Sequence, residues 1–571
     1  MEKIAIIDLG SNTVRMVIAR AFDEGYFTIA DELKEQVRLI KDLRVVDDSQ
    51  PNSGFLQPVP MAQAINVLKN FKTLYQRHNV TRVLAYATSA VRNAKNKDVF
   101  IKNIKSETGI DFSVLSQEEE ADLVYTGVIR SMDINRALII DIGGGSVKLI
   151  QVGRKQILNQ EALPYGAVTL FEKVQKMAEK TDSENEEERL KAERLQDPEE
   201  RSKEYEKIIS EYLVKISFLT HLERETLIVG VGGSIRNLGK ISRRIRKEYP
   251  LNAAHNYGVS RDELTTIYDT TRKLTEAQLQ HVKGLTSARA DIFPAALAIL
   301  SAIFTHCGQK YDIKELRISG RGMREGAMFK YLEHSGKVTN NTEDAEIEIV
   351  PDISEFSVKG MIERYDVNVE HAEHVYKLAE IMYRYLRVVH KLPKQYIKYL
   401  KIAAMLHDCG CAINYYNHTK HGMYLILNSD MCGLTQKELF IIAIAVGLHG
   451  VDSMADIEAQ KYTKFLTEDD VLGARKLGII LRMAEALDRS GSRVIKDITC
   501  EILGDNIIFM PLTEQGVINL ERKASGEKLI ADNDDITLEI RDIRLASREF
   551  REIFGKTLDV AVNGNSGSSV K

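Results

Sequence analysis

Cysteine is scarce in this chain of 571 residues: five are present, Cys307, Cys409, Cys411, Cys432 and Cys500. So sparse and odd a set does not build a disulfide framework, and reduced thiols are the expectation. Long apolar runs are missing as well. The best candidate, "AALAILSAIF" at 295–304, is far short of the ~20 residues that span a bilayer and reads as a buried helix. The stretch "MEKIAIIDLG" meets an aspartate before a secretory apolar region develops, so a cytoplasmic protein with no membrane partner is expected. Positive charge is not in surplus either. A formal net charge of −4 leaves no global excess to displace counterions from a phosphate backbone, which argues against a dedicated nucleic-acid binder. No repeat at solenoid periods is present.

What the chain does have is a globular composition, 44% hydrophobic and 28% charged, over a length that implies roughly three to five modules. Strand-like runs ("KIAIIDLG", "RVLAYATSA", "RALIIDIGGG", "TLIVGVGGS") alternate with stretches at helical spacing, so the first half is expected to form α/β layers around buried strands. Residues 178–206 are dense in both charges and read as a solvated helical excursion. Turn formers gather at 335–352, the expected linker. Helical periodicity then dominates to about 497. Beyond it "DITCEILGDNIIFMPL", "GVINLE" and "DITLEIRDI" read as short strands before one helix, and 563–571 as a disordered tail.

Two segments repeat one design of apolar strand, Asp-x-Gly, small hydroxylated residue and second strand. They are "IIDLGSNTVRMVI", with Asp8, Ser11, Asn12 and Arg15, and "IIDIGGGSVKLI", with Asp141, Gly143, Gly144, Gly145, Ser146 and Lys148. A glycine hairpin exposes backbone N–H groups that bind anions, and the missing Cβ lets phosphate approach. Aspartates at the strand ends cannot usefully touch phosphate and are best used to hold a hydrated Mg²⁺ that bridges to it. A third loop, "IVGVGGSIRNLGK", places Gly232, Gly233, Ser234 and Arg236 where a strand hands over to a helix N-terminus. The run "SQEEEADLVYTGV" supplies carboxylates that could orient a water.

These loops, with "ATSAVRNAKN" at 87–96, "QEEEADLVYTGV" at 117–128 and "SGRGMREGAM" at 319–328, resemble the exopolyphosphatase and guanosine pentaphosphate phosphohydrolase (Ppx/GppA) family of the actin-like superfold. The resemblance implies duplicated actin-like (ribonuclease H-like) α/β lobes at 1–126 and 127–334, a helical HD-type domain at 353–497 and a small α+β domain at 498–562. It implies an Mg²⁺-dependent exopolyphosphatase, with Glu120 as general base, Asp141 and Asp8 positioning Mg²⁺ through water, and Arg92 on the phosphate side. Guanosine pentaphosphate 5′-phosphohydrolysis and a polyphosphate or nucleotide sensor with weak catalysis are the alternatives. A homodimer is the family expectation. The chain departs from the family pattern at Lys148, where a glutamate is usual, and at Gly320 and Arg321, where Asp-Gly is common.

In the helical half, His371, the doublet His407–Asp408 and Asp488 stand in an order that resembles the HD phosphohydrolase superfamily, which implies a second divalent transition metal held by imidazole and carboxylate. His418, His421 and His449 lie among them. Cys409, Cys411, His418 and His421 form a rival zinc set whose spacing fits no common finger.

Overall fold

The structure, a computed structural model, describes all residues except 1, 23–25, 42, 46–52, 247–254, 309–312, 336–351, 430, 451–458 and 562–571. The expected linker and tail therefore lie almost wholly outside the described residues. The chain divides into two compact units, Met1–Ile353 and Ser354–Lys571.

Among the described residues the first unit holds two large sheets of related topology, beside a two-stranded one that pairs Arg44–Val45 with Gly54–Phe55. In one, β1 (Glu2–Leu9), β2 (Thr13–Ala21) and β3 (Phe27–Gln36) form an antiparallel meander, and β4 (Arg82–Ala87) and β5 (Ser113–Val114) extend it in parallel, in the order β3-β2-β1-β4-β5. In the other, β6 (Arg136–Ile142), β7 (Val147–Gly153) and β8 (Gln156–Leu163) form the meander. It is joined by β9 (Leu227–Val231), β10 (Tyr257–Ser260) and β11 (Glu315–Ile318), in the order β8-β7-β6-β9-β11-β10. The first five positions repeat the same plan, the actin-like duplication. Ile4, Ile6, Ile7 and Leu9 of β1 and 137–140 of β6 are at most 1% exposed. Helices cover both faces of these strands, which is why they read as continuous apolar runs rather than as alternation. The apolar stretch at 295–304 lies inside a buried helix, Phe293–Gly308, as expected. Within the charged excursion, the helix Glu186–Arg194 buries only Ala192.

The second unit is mainly helical: Val369–Tyr385, Tyr396–Leu406, His418–Asn428, Gln436–Gly447 and Glu468–Ala486 precede a small sheet. In that sheet β12 (Asp497–Leu503) pairs antiparallel with β13 (Asn506–Leu512), and β14 (Thr557–Val560) adds in parallel. Two expected strands are helices instead. "GVINLE" lies within Glu514–Ser525, started by Thr513 accepting from the Gly516 N–H and ended by Gly526 in the left-handed region. "DITLEIRDI" runs mostly through Thr537–Leu545. Its residues Ile536, Leu538 and Ile540 alternate like a strand. The buried set is Ile536, Ile540 and Ile543, at helical spacing, while Leu538 is 38% exposed. Among the described residues no helix is long and apolar enough to cross a membrane.

Candidate functional site

Both glycine hairpins of the first unit place their tips at one crevice. In β1–β2 the Gly10 N–H donates to the Thr13 carbonyl, and in β6–β7 the Gly143 N–H donates to the Ser146 carbonyl. The tips meet: a Cβ added at Gly144 would lie 3.1 Å from Ser11 Cβ, and one at Gly145 would lie 2.8 Å from Ser11 Oγ. Ser11 Oγ is in turn 3.1 Å from Ser89 Oγ. The third loop enters from β9. Gly232, at φ +114°, turns where a Cβ would meet the Ile142 carbonyl at 2.6 Å, and it caps the helix Gly233–Ile245. The resulting crevice, about 140 Å³, is lined by residues of all three loops.

The strand register sets the charges. Asp8 stands opposite Arg15 across β1–β2, and Asp141 stands opposite Lys148 across β6–β7, so each hairpin carries an acid facing a base at equivalent places. Glu120 joins them from the first turn of the helix Gln117–Ile129. There Glu119 serves the helix end, its carboxylate accepting from the Ser116 N–H at 2.7 Å while Ser116 Oγ accepts from the Glu119 N–H. Glu120, one position on, is buried and faces the crevice. Lys148 Nζ lies 2.5 Å from Glu120 Oε1 and 3.2 Å from Asp141 Oδ2. Arg92 Nη1 donates to Glu120 Oε2 at 2.9 Å and to the Leu115 carbonyl at 2.9 Å.

Four guanidiniums share the crevice: Arg15, Arg236, Arg289 and Arg324. Burial, then repulsion from Arg236, Arg324 and Arg289, pushes Arg15 down to about 9. Burial and Arg236 push Arg289 down to about 10. Burial raises Asp8 to about 6 against the pull of Arg324 and Arg15. Burial also opposes the charge on Glu120, but Lys148 and Arg92 outweigh it and hold the carboxyl below its usual range. Lys148, equally buried, is held above its usual value by Glu120 and Asp141. Both amide atoms of Asn12 and the Ser146 hydroxyl are buried without a partner. The arrangement is a set of unspent donors and mutually repelling cations, a receptacle for a multiply charged anion.

In the second unit His371, His407 and Asp408 form one group of potential metal ligands, and Asp408, His418 and His449 form another. Asp488 lies outside both groups and accepts from His371 Nδ1 at 2.7 Å. The rival zinc set does not assemble. Cys409 Sγ faces the Gly422 carbonyl at 3.9 Å, neither group contains a cysteine, and His421 belongs to neither.

Comparison with known proteins decides the family. The model of the Ppx/GppA phosphatase family matches residues 17–335, and that of Ppx/GppA phosphatase domain III matches 353–521. The chain belongs to the Ppx/GppA phosphatase family. It is therefore a hydrolase acting on phosphoanhydrides. Similar solved structures include an exopolyphosphatase from Cytophaga hutchinsonii, at 23% identity over 58% of this chain and 98% of that one, with a TM-score of 0.49. Another is the Aquifex aeolicus Ppx/GppA family member, at 25% identity over 58% and 98%, with a TM-score of 0.45.

Within this Ppx/GppA chain the crevice gathers most of the residues singled out from sequence: Asp8, Ser11, Asn12, Arg15, Glu120, Asp141, Gly143, Gly144, Lys148, Gly232, Gly233 and Arg236. Gly145, Ser146 and Ser234 are not among the lining residues, and Ser234 Oγ accepts from Arg289 Nη1 at 3.4 Å. Arg92 is spent on Glu120 and on backbone rather than on the crevice wall. Arg289 and Arg324 are residues the sequence reading missed. Arg324 sits in "SGRGMREG", three residues past the Arg321 that drew attention, and pairs with Glu32 at 2.8 Å. Arg289 carried no signal in "LTSARAD". Its guanidinium packs against Gly233, where a Cβ would come within 2.2 Å of it.

Proposed function

We propose that this chain releases terminal phosphate from inorganic polyphosphate with Mg²⁺. The observation that carries the reading is the convergence of four arginines and three glycine loops on one crevice whose lining, among the described residues, contains no aromatic ring to stack a base. Residues 1–126 and 127–334 serve as the two lobes that supply these loops.

Asp8, Asn12 and Asp141 offer the hard oxygen donors that Mg²⁺ takes, and the unpartnered Asn12 amide fits such a role. Held by these residues, the ion would supply positive charge that neutralises the phosphate oxygens during transfer. Lys148 already neutralises one oxygen of Asp141, which leaves Asp8 as the carboxylate most open to a cation. The four guanidiniums and loop amides bind the non-transferring oxygens and stabilise charge on the leaving phosphate. Glu120, kept ionised, orients a water and accepts its proton as the water oxygen bonds to the terminal phosphorus and the anhydride P–O bond breaks. The test is phosphate release from long-chain polyphosphate and from guanosine pentaphosphate at matched concentrations. Preference for the nucleotide would replace this substrate with the family's other one.

A second reading is favoured by one contact. Lys148 occupies Glu120 at 2.5 Å, so the base is tied up in an ion pair, as suits a polyphosphate sensor with slow turnover. Tight binding without phosphate release would support it.

A further inference from the structure

Arg289 is a buried cation with no carboxylate of its own. The residue is 8% exposed, its Nη1 donates to Ser234 Oγ at 3.4 Å, and among the described residues no acid pairs with its guanidinium. Arg236 repels it, and it repels Arg15 in turn. A group so crowded stays in the crevice only if its backbone is held there. The backbone in question is the turn Ser287–Arg289, between β10 and β11. From its own side Asn237, on the helix Gly233–Ile245, donates to Thr286 Oγ1 at 3.2 Å.

A second hold comes from the other sheet. Gln36 ends β3 and donates from Nε2 to the Ala288 carbonyl at 3.0 Å. Two positions on, Arg38 Nη2 pairs with Asp291 Oδ2. Ala288 and Asp291 bracket Arg289 in the chain, so both contacts bear on its turn. The other oxygen of Asp291 accepts from the Ile292 N–H at 2.9 Å, and the side chain is 6% exposed. Arg38 itself sits at φ +49°, in the left-handed region that a non-glycine residue seldom adopts. In that conformation its N–H donates to the Asn12 carbonyl at 2.9 Å, beside the Val37 N–H, which donates to the same carbonyl at 3.1 Å. Asn12 belongs to the tip of the first glycine hairpin. One residue thus touches the first anion loop with its main chain and the Arg289 turn with its side chain. Backbone strain of this kind persists where its surroundings over-determine it, and it gathers at ligand sites.

We infer that Arg38 and Asp291 are positioning residues whose ion pair ties the Arg289 turn to the Ser11–Asn12 loop, so that this guanidinium meets the same phosphates as the loop amides. The Arg38 side chain is 31% exposed, so the pair adds little to stability. What it supplies is a cation fixed before the ligand arrives, which spares the cost of ordering it on binding. Neither residue lines the crevice, and each acts through Arg289. The inference rests on the reading of the crevice as a polyphosphate site.

Polyphosphate binding with Mg²⁺ is measured by calorimetry on the full-length protein carrying Glu120→Gln, so that the chain is not consumed. Asp291→Asn removes a negative charge beside an anion site, and charge alone would therefore tighten binding. Positioning requires the opposite sign: binding weakens about tenfold, the lower end of what a charge-assisted hydrogen bond is worth. Arg289→Ala weakens it too, and adding Asp291→Asn to Arg289→Ala changes nothing further, because the acid acts only through that arginine. Arg38→Met, at the more exposed end of the pair, repeats the loss and the same lack of additivity. Asp291→Glu keeps a carboxylate within reach of the flexible Arg38 side chain and binds more tightly than Asp291→Asn. Unchanged or tighter binding by Asp291→Asn, or losses that add to that of Arg289→Ala, would overturn this inference and leave the polyphosphate reading standing. No binding before either change is made would overturn both.

Discussion

Replacing Lys148 by methionine keeps the length of the side chain and removes its charge. The ammonium is 5% exposed and balances two buried carboxylates, Glu120 at 2.5 Å and Asp141 at 3.2 Å. Taking one partner from a buried ion pair leaves uncompensated charge and costs about 3–5 kcal/mol. Arg92 still holds the other oxygen of Glu120 at 2.9 Å, which places the expected loss near the lower end of that range. The sign with pH follows from the direction of the Glu120 shift. In the wild type its carboxyl lies below its ordinary value, burial being outweighed by Lys148 and Arg92. That stabilisation is present above the unfolded value near 4.3 and is lost as pH falls through the lower folded value. In the variant, burial persists without the lysine, so the carboxyl moves upward, and stability is lost as pH rises through the raised value. Denaturant unfolding of wild type and Lys148→Met at pH 5 and pH 8 is the assay. The difference between the proteins should be greater at pH 8, by about 1.4 kcal/mol for each unit by which the variant's Glu120 value stands above 5. Mg²⁺ should restore more stability to the variant than it adds to the wild type, because it can take the place of the ammonium between the carboxylates. An equal loss at both pH values with no response to Mg²⁺ would refute this account of Lys148.

Glu120→Gln keeps the volume and removes the proton acceptor, so phosphate release at saturating polyphosphate should fall about 10²–10⁴-fold while binding persists; an unchanged rate would remove Glu120 as the base. Arg289→Ala relieves a repulsion felt by Arg15 and Arg236, so the ligand-free protein should unfold no more readily than wild type. The same change should weaken polyphosphate binding by about 10- to 150-fold, the worth of roughly 1.5–3 kcal/mol for a charge-assisted hydrogen bond, as calorimetry would show. Gly232→Ala forces a side chain onto a backbone at φ +114° with its Cβ 2.6 Å from the Ile142 carbonyl. Thermal unfolding should register a loss of about 1–3 kcal/mol, and an unshifted midpoint would mean that the turn relaxes freely.

The family, the α/β layering and the glycine loops that line the crevice were legible in the sequence because their signals are local. An apolar strand ending in Asp-x-Gly constrains its own turn, and burial on both faces writes itself as an unbroken apolar run. The same locality explains the two misread segments near the C-terminus, where short apolar patterns satisfied a strand and a helix alike, and packing of Ile536, Ile540 and Ile543 on one side decided for the helix. Which of three adjacent acids matters was not decidable from spacing. Glu118, Glu119 and Glu120 all suit a helix start, and only the fold turns Glu119 to the cap and Glu120 into the crevice.

The sequence by itself determined the parts: two acid-bearing glycine hairpins, a third glycine loop, a run of carboxylates, and histidines spread along the helical half. Tertiary structure alone decided their company. Strand register set Asp8 against Arg15 and Asp141 against Lys148. Chain folding brought Arg289 and Arg324 to the crevice and committed Arg92 to Glu120. It also gathered four imidazoles, separated by up to 78 positions from His371 to His449, around the Asp408 carboxylate. Electrostatic energy depends on distances between charges in space and on the water excluded between them, and neither quantity is a property of position along the chain.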